Sequence, residues 1–285
     1  MKRTDFRYFD RQRVRWAEID AQHIVFNAHY LMYFDTALAG YWRALALPYA
    51  ATMSAMGGDL YVRKATVEYF GSARYDDLID IGMRCARIGT SSLRFEGAVF
   101  RQDRLLVSGE LVYVFADPAT QTSRPVPPAL REVLDGYEAG AASLEVRVGT
   151  WSELGEAAAA LRRSVFIDEQ GIAAEMGEDA DDVAALHAVA RNRLGVALGT
   201  GRLLQPARGV ARIGRLAVLQ PMRGSGIGRR LLDALLDEAR TRGDREAVLQ
   251  AQTGAAAFYA GAGFEARGAP YDEAGVAHVD MTLEL

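Results

Sequence analysis

The chain has 285 residues, of which 50% are hydrophobic and 25% are charged, and its formal net charge is -4. This length predicts two domains, each able to bury a core, and the composition excludes disordered and fibrous proteins. Neither half carries an excess of basic residues, so nucleic acid is not an expected partner.

The cysteine content also restricts the class of protein. The single cysteine, Cys85, excludes a disulfide framework within the chain and a zinc site built from cysteines. It favours a reducing compartment, and neither a signal peptide nor an apolar run long enough to span a membrane is visible. We therefore expect a cytoplasmic protein that has no membrane partner.

The first half reads as one long helix followed by strands. A strand-like segment, Arg11 to Trp16, leads into a polar loop from Glu18 to Phe26. The next segment predicts a helix from about Ala28 to Leu47, because its apolar residues recur at a period of 3.6 and Pro48 marks its end. Four strand candidates follow, over residues 60–70, 79–85, 93–99 and 105–115. A helix against an antiparallel sheet is an α+β architecture.

A proline-rich segment separates the two halves. Four of the prolines fall between Asp117 and Pro128, and the last can open a helix. Four apolar residues then recur at helical spacing: Leu130, Val133, Leu134 and Tyr137. The small and polar segment from Glu138 to Ser143 reads as a linker. We predict one domain over residues 1–140 and a second domain over residues 145–285.

The segment from Arg15 to Tyr30, RWAEIDAQHIVFNAHY, resembles the acid-x-acid segment of hot-dog acyl-CoA thioesterases of the 4-hydroxybenzoyl-CoA thioesterase type. The similarity to this family covers about residues 8 to 137. The resemblance implies an antiparallel sheet around a long helix, with at least a homodimer formed through this domain. Many members have glycine where this chain has Gln22 or His23, and Glu18 replaces a commoner aspartate.

The same segment carries a candidate catalytic group. Thioester hydrolysis needs a nucleophile or a base for water, together with donors for the oxyanion. Asp20 precedes a helix whose first N–H groups, near Asn27, are unpaired. In the resemblance, Asp20 falls on the catalytic aspartate and the backbone N–H of Asn27 on the oxyanion donor. Direct attack and water activation both stay open, as does the alternative that either residue only caps the helix.

No metal site is predicted beside Asp20. The nearby His23 and His29 are metal-ligand residue types, but they lack a well-spaced third partner. Cys85 lies on an alternating strand, where core packing is its expected role.

The second half contains a strand, a glycine-rich turn and a helix in succession. Arg212 to Leu219 reads as a buried strand, and an amphipathic helix runs from Ile227 to just before Gly243. A glycine-rich turn that leads into a helix N-terminus is suited to phosphate. The G-K-[ST] of a P-loop is absent, and Arg229 occupies the third glycine position of a dinucleotide fingerprint. The pattern that fits is R-G-x-G-x-G.

This loop resembles the acetyl-CoA pyrophosphate loop of the GNAT N-acyltransferases, which have an α/β domain with a mixed sheet. The segments at 161–170, 195–204 and 250–264 also match, so the similarity covers about residues 145 to 285. It implies that the backbone of Leu216, Ala217 and Val218 bonds the pantetheine arm. It also implies a pyrophosphate site formed by Arg223, Gly224, Ser225, Gly226, Ile227 and Gly228.

Two side chains are candidates for proton transfer in this half. Tyr259 matches the position of a general acid near the leaving thiolate, with packing beside Phe258 as the alternative. A base must also take a proton from the acceptor amine. Glu169 is the candidate base, with an ion pair on the first helix as its alternative. We interpret the acidic run from Glu175 to Asp182 as a solvated loop, with attraction of a cationic acceptor as the alternative.

The two halves together predict a bifunctional enzyme that uses acyl-CoA. The first domain would hydrolyse an acyl-CoA thioester, and the second would transfer an acyl group, expected to be acetyl, from CoA to an amine. In the alternative, the hot-dog domain is a non-catalytic acyl-CoA binder or dimerisation scaffold that regulates the transferase. Acyl-CoA and acetyl-CoA are expected as substrates, without a tightly bound cofactor.

Overall fold

Two units divide the chain, Met1–Ser143 and Leu144–Leu285. The computed structural model describes residues 1–172, 179–273 and 275–285. Each unit contains one sheet with helices, so the predicted α+β architecture is confirmed. Within the described ranges, no helix is both long enough and apolar enough to cross a membrane.

A five-stranded sheet forms the core of the first unit. Its strands are β1 (Tyr8–Arg13), β2 (Asp59–Tyr69), β3 (Leu78–Ile88), β4 (Ser92–Arg101) and β5 (Arg104–Ala116). Their order in space is β1-β3-β4-β5-β2, and every neighbouring pair is antiparallel. The four strands predicted after the first helix are all present. The strand predicted at Arg11 begins earlier and ends at Arg13, because the backbone then turns so that Glu18 can bond Arg15.

Helix α1 (His29–Ala44) lies on this sheet. Phe34 is fully buried at the centre of the contact, over two glycines on neighbouring strands. Gly97 of β4 is paired with Gly109 of β5, and a Cβ at either position would come within 2.6 or 2.5 Å of the Phe34 ring. The two glycines therefore permit the close approach of the helix.

The other helices of this unit match the sequence only in part. Helix α1 ends at Ala44, short of its predicted end, because Ala46 takes a left-handed conformation with φ of +56°. Helix α2 (Tyr49–Ala55), which was not predicted, begins directly after Pro48. Helix α3 (Pro128–Glu138) begins at its proline as predicted. Its predicted apolar face is buried: Leu130, Val133, Leu134 and Tyr137.

A seven-stranded sheet forms the second unit. Its strands are β6 (Leu144–Thr150), β7 (Leu186–Asn192), β8 (Ala197–Ala207), β9 (Val210–Val218), β10 (Glu246–Gln252), β11 (Glu265–Glu273) and β12 (Val276–Glu284). Their order is β11-β12-β10-β9-β8-β7-β6. All neighbouring pairs are antiparallel except β9 and β10, which are parallel. The predicted mixed sheet is thus confirmed.

Three helices accompany this sheet: α4 (Trp151–Arg162), α5 (Ile227–Arg242) and α6 (Ala256–Ala260). A π-helical turn, Arg163–Glu169, continues α4. The apolar stripe of α5 is buried against the sheet, and the helix ends at Gly243, whose φ is +85°, as the sequence predicts.

Candidate active sites

In the first unit, a short hairpin places Asp20 just before α1. Ile19 and Val25 form an antiparallel bridge, and the N–H of Asp20 donates to the carbonyl of Ile24 at 2.9 Å. One carboxylate oxygen of Asp20 accepts the N–H of Gln22 at 2.8 Å. The other oxygen makes no hydrogen bond with a described residue. Asp20 is half-buried, and this second oxygen is available to a ligand.

Glu18 holds this hairpin rather than serving as a second free carboxylate. It is 2% exposed, and it accepts hydrogen bonds from the backbone and guanidinium of Arg15 and from the hydroxyl of Tyr33. Its own carbonyl accepts the N–H of Phe26 at 2.9 Å. Burial would raise the pKa of Glu18, but the bonds from Arg15 and Tyr33 outweigh burial and lower it. Glu18 therefore stays ionised and fixes both ends of the hairpin.

The N-terminus of α1 has free donors. Neither Asp20 nor Asn27 caps the helix, because Ala28 is the N-cap residue and no side chain bonds there. Among the described residues, no acceptor bonds the N–H of Asn27 or of Ala28. The carbonyl of Asn27 accepts the hydroxyl of Tyr69 at 3.1 Å, which helps to fix this peptide. Capping, the alternative function considered for Asp20 and Asn27, is therefore excluded.

The loop sequence explains one departure from the family pattern. His23 has φ of +58°, in the left-handed region that glycine adopts without strain. Many family members have glycine at this place or the one before it. In this chain, His23 therefore adopts the left-handed conformation of the turn that positions Asp20, although it is not glycine.

In the second unit, the parallel strands β9 and β10 diverge and open a cleft. They pair only between Val210–Arg212 and Glu246–Val248. Beyond this point, β9 has a bulge at Arg215, whose φ is +52°, where its register against β8 shifts. The cleft has a volume of about 930 Å³, and its lining includes Leu216, Ala217 and Val218. The edge of β9 away from β8 is therefore open to an extended ligand.

The glycine-rich loop opens α5 with unpaired backbone donors. Gly224 and Gly226 have φ of +77° and +83°, and Gly226 is the N-cap residue. No described residue accepts the N–H of Gly224, Gly226, Ile227 or Gly228. The N–H of Ser225 is engaged instead, with the carbonyl of Met222. Four free donors at the positive end of a helix are suited to an anion.

Glu169 forms an ion pair with Arg223, which lines the cleft. Two hydrogen bonds, 2.6 and 2.7 Å long, join the guanidinium of Arg223 to both carboxylate oxygens of Glu169. Arg223 also donates to the carbonyl of Val218 at 3.1 Å. Glu169 is therefore ion-paired, but with the glycine-rich loop rather than within the first helix.

Tyr259 lies on α6 and lines the same cleft. Burial raises the pKa of its phenol to about 12. The hydroxyl makes no hydrogen bond with a described residue, although the ring contacts those of Phe258 and Phe264. Tyr259 therefore offers a protonated donor to a ligand, and packing accounts only for its ring.

The acidic run contains an ion-pair network that the sequence reading missed. Asp182 is 2% exposed and accepts hydrogen bonds from the buried Arg162 and from Arg202. Asp179 bonds Arg202 and Arg215. Burial opposes ionisation of Asp179, but the two arginines lower its pKa to about 2. The solvated-loop interpretation is wrong for the buried Asp182, whose partners lie on α4 and β8, whereas Asp179 is exposed but ion-paired. Glu175 and Glu178 lie outside the described residues.

Other reactive groups are either buried or unclustered. Cys85 is buried on β3, and burial raises its pKa to about 12, which disfavours the thiolate. In the described part of the chain, no three His, Cys, Asp or Glu side chains come together as metal ligands.

Two family models match separate parts of the chain. Residues 22–108 match the thioesterase superfamily, and residues 153–285 match an acetyltransferase (GNAT) domain. The acyl-CoA thioester hydrolase YbgC of Escherichia coli is 30% identical over 119 residues, which are 41% of this chain and 88% of that protein.

Similarity to other proteins covers each half separately. The uncharacterized protein YyaT of Bacillus subtilis is 30% identical over 143 residues, which are 49% of this chain and 94% of that protein. Among solved structures, a hypothetical protein of Aquifex aeolicus is 26% identical with a TM-score of 0.41. The match covers 45% of this chain and 98% of that one.

Proposed function

Because the chain belongs to the thioesterase superfamily through residues 22–108 and to the GNAT acetyltransferases through residues 153–285, we propose that it carries two CoA-dependent activities. One site hydrolyses an acyl-CoA thioester, and the other transfers an acetyl group from CoA to an amine. The similarity of each half to a separate family supports both assignments. The polar groups without hydrogen-bond partners at each site also support them.

Hydrolysis is assigned to Asp20 and the start of α1. The free carboxylate oxygen of Asp20 attacks the thioester carbonyl or takes a proton from the attacking water. The carbonyl oxygen gains negative charge and accepts the N–H groups of Asn27 and Ala28. The C–S bond then breaks, and CoA leaves as a thiolate that takes a proton from solvent. After direct attack, water cleaves the resulting anhydride of Asp20 and releases the acid; after water activation, Asp20 returns its proton to solvent. The observation that supports this assignment is a carboxylate and two backbone donors left free on one short hairpin and its helix.

Acetyl transfer is assigned to the cleft between β9 and β10. The pyrophosphate of acetyl-CoA accepts the four free N–H groups of the loop from Arg223 to Gly228. The pantetheine arm extends along Leu216, Ala217 and Val218, where its amides bond the open edge of β9. This arrangement directs the thioester toward Tyr259, whose phenol donates a proton to the departing sulfur.

The role of Glu169 as the amine base stays a prediction. Its carboxylate is bonded through both oxygens to Arg223, so it must leave that arginine before it can take a proton. Ser225 is assigned to the pyrophosphate site through its hydroxyl, which in the free protein donates to the carbonyl of Met222.

We also propose that the first unit forms a homodimer through β2. This strand pairs with β5 on one side, and in the described residues its other edge carries no strand. Four large apolar side chains at and just beyond this strand are exposed: Tyr61, Val62, Tyr69 and Phe70. An exposed apolar edge strand is a template for pairing with a second copy. The substrates and the lone reduced cysteine support a cytoplasmic location.

The experiment that tests both activities is an acyl-CoA panel scored for thiol release with and without primary amines. Full-length protein should release thiol without an amine, and a second, amine-dependent release should produce an amide. Asp20→Asn should remove only the first, and Tyr259→Phe should reduce only the second. Tight acyl-CoA binding without any amine-independent hydrolysis would instead favour the regulatory scaffold for the first unit.

A further inference from the structure

One wall of the transferase cleft carries polar side chains that the assigned chemistry does not use. His278 of β12 lines the cleft and lies directly opposite Gln252 of β10 and Tyr271 of β11. Opposed residues of antiparallel strands project to the same face. The three side chains therefore lie on the face of the sheet that borders the cleft. Leu216–Val218 and Tyr259 line the same cleft.

The hydrogen bonding of His278 leaves one ring nitrogen free. Its Nδ1 lies 2.8 Å from the carbonyl oxygen of Val276. A carbonyl can only accept, so Nδ1 carries the proton and a neutral ring has its lone pair on Nε2. Nε2 makes no hydrogen bond with a described residue, and the ring is stacked on that of Tyr271. The imidazole is thus held in one orientation with a basic nitrogen available.

Two other candidate bases of the second unit, His187 and Glu169, are engaged. His187 is fully buried, with Nδ1 at 3.1 Å from the guanidinium of Arg162 and Nε2 at 2.9 Å from the carbonyl of Asp182. Glu169 has both carboxylate oxygens on Arg223. His278 is therefore the histidine of this unit with a lone pair that is not already used.

Resting on the proposed acetyl transfer, we propose that His278 is the general base that deprotonates the acceptor amine. Nε2 takes one proton from the ammonium, and the freed lone pair forms the N–C bond to the acetyl carbon. The C–S bond breaks, and its electron pair stays on sulfur, which takes the phenol proton of Tyr259. The remaining surplus proton on nitrogen passes through water to the tyrosine, and the imidazolium returns its proton to solvent.

The charged groups around the cleft are compatible with this role. Those that line it with His278 are Asp179, Asp181, Arg202, Arg212, Arg215, Arg223 and Glu273. Every one of these arginines has a carboxylate partner. Asp280, which follows on the same face of β12, accepts the hydroxyl of Tyr271. The arginines are thus neutralised, and the wall with His278 favours a cationic primary amine over an anionic acceptor.

The test is the pH profile of acetylation by full-length His278→Gln, with Glu169→Gln and the exposed Arg240→Gln assayed beside it. Glutamine keeps a polar side chain but cannot take the proton. We expect kcat/KM for the amine to fall by about 10²-fold or more at pH 7, with loss of the acidic limb of the profile. Acetyl-CoA affinity and the Arg240→Gln profile should be unchanged. A wild-type profile in His278→Gln, or loss of the limb only in Glu169→Gln, would overturn the assignment.

A second measurement does not depend on turnover. The chain has four histidines, so single substitutions assign their imidazole signals in a long-range 1H–15N spectrum. Neutral His278 should show the Nδ1–H tautomer, and an Nε2–H tautomer would overturn the inference even if transfer is active. If wild-type protein acetylates no primary amine, the proposed transfer fails together with its base. If both wild type and His278→Gln acetylate equally, only the base assignment fails.

Discussion

Glu169 and Arg223 are 54 residues apart in sequence and are joined by two hydrogen bonds, between a π-helical turn and the glycine-rich loop. The guanidinium that is expected to meet the pyrophosphate is thus already occupied by a carboxylate. The pair joins two residues that the sequence predicts for the same site. One of them lies on a π-helical turn, a feature that is frequent at functional sites. In the proposed complex, the pyrophosphate of acetyl-CoA therefore competes with Glu169 for Arg223.

Arg223→Gln should weaken acetyl-CoA binding by about 10-fold, because the pyrophosphate loses one charge-assisted donor at a half-exposed position. Titration calorimetry measures the dissociation constant. Arg240→Gln, at the exposed opposite end of α5, is the matched control and should bind normally. Equal affinities for the wild type and Arg223→Gln would show that the guanidinium does not contact the ligand.

Asp20→Asn should lower amine-independent thioester hydrolysis by about 10²-fold or more, because the amide is neither a nucleophile nor a base. The fold should persist, since the amide oxygen can still accept the N–H of Gln22. Asp103→Asn removes a carboxylate that is 97% exposed and serves as the control. Retained hydrolysis in Asp20→Asn, with a normal melting temperature, would exclude Asp20 from the reaction.

Glu18→Gln should destabilise the hairpin and thereby reduce hydrolysis, although Glu18 itself is not assigned a contact with the substrate. The pKa of Glu18 is lower in the folded state than in the unfolded chain, so its ionisation stabilises the fold above the unfolded value, near 4.3. That contribution is lost as the pH falls through the folded pKa.

The difference in unfolding free energy between wild type and Glu18→Gln should be about 1–3 kcal/mol at pH 7 and should shrink below pH 4. Urea denaturation at both pH values measures it. A difference that is the same at both pH values would show that the charge of Glu18 does not contribute.

Gly226→Ala and Gly209→Ala form a matched pair for the anion site. Both glycines have left-handed φ, +83° and +81°, and a Cβ would meet nothing within 4 Å at either position. Each substitution should cost about 1 kcal/mol of stability through the backbone alone. Only Gly226→Ala should also weaken acetyl-CoA binding, because it moves N–H groups of the loop. Similar acetyl-CoA binding by the two variants would argue against the loop as the pyrophosphate site.

Tyr259→Phe should lower kcat for amine acetylation by about 10-fold or more while acetyl-CoA affinity changes little, because it removes a donor but keeps the ring. The raised pKa, about 12, means that the phenol keeps its proton throughout the usual assay range. The wild-type rate should therefore show no alkaline limb from this residue below about pH 11. A rate unchanged in Tyr259→Phe would leave the tyrosine with a packing role alone.

Much of the fold was predictable because its signals are local. Alternation of apolar residues marked β3, β4 and β5, and proline marked the start of α3. The sequence placed the end of α1 too late because Ala46 adopts a left-handed conformation, which an alanine in the sequence does not predict. Helix α2 was missed because seven residues without a strong apolar period carry little helical signal.

The candidate sites divide in the same way. Asp20 with the helix that follows it, and the loop from Arg223 to Gly228, are contiguous motifs, so their sequence carries both the chemistry and the local geometry. The acidic run shows the opposite case, because the arginines that bury Asp182 come from α4 and β8. A carboxylate with distant partners looks the same in sequence as a solvated one.

The sequence by itself predicted the two families, their order along the chain and the two candidate sites at helix N-termini, because contiguous motifs carry them. Only the tertiary structure decided that Arg223 pairs with Glu169 and that His278 faces the cleft. The partner of an ion pair and the side of the sheet to which a side chain points both depend on the register of strands that are distant in sequence. Packing of the whole sheet sets that register.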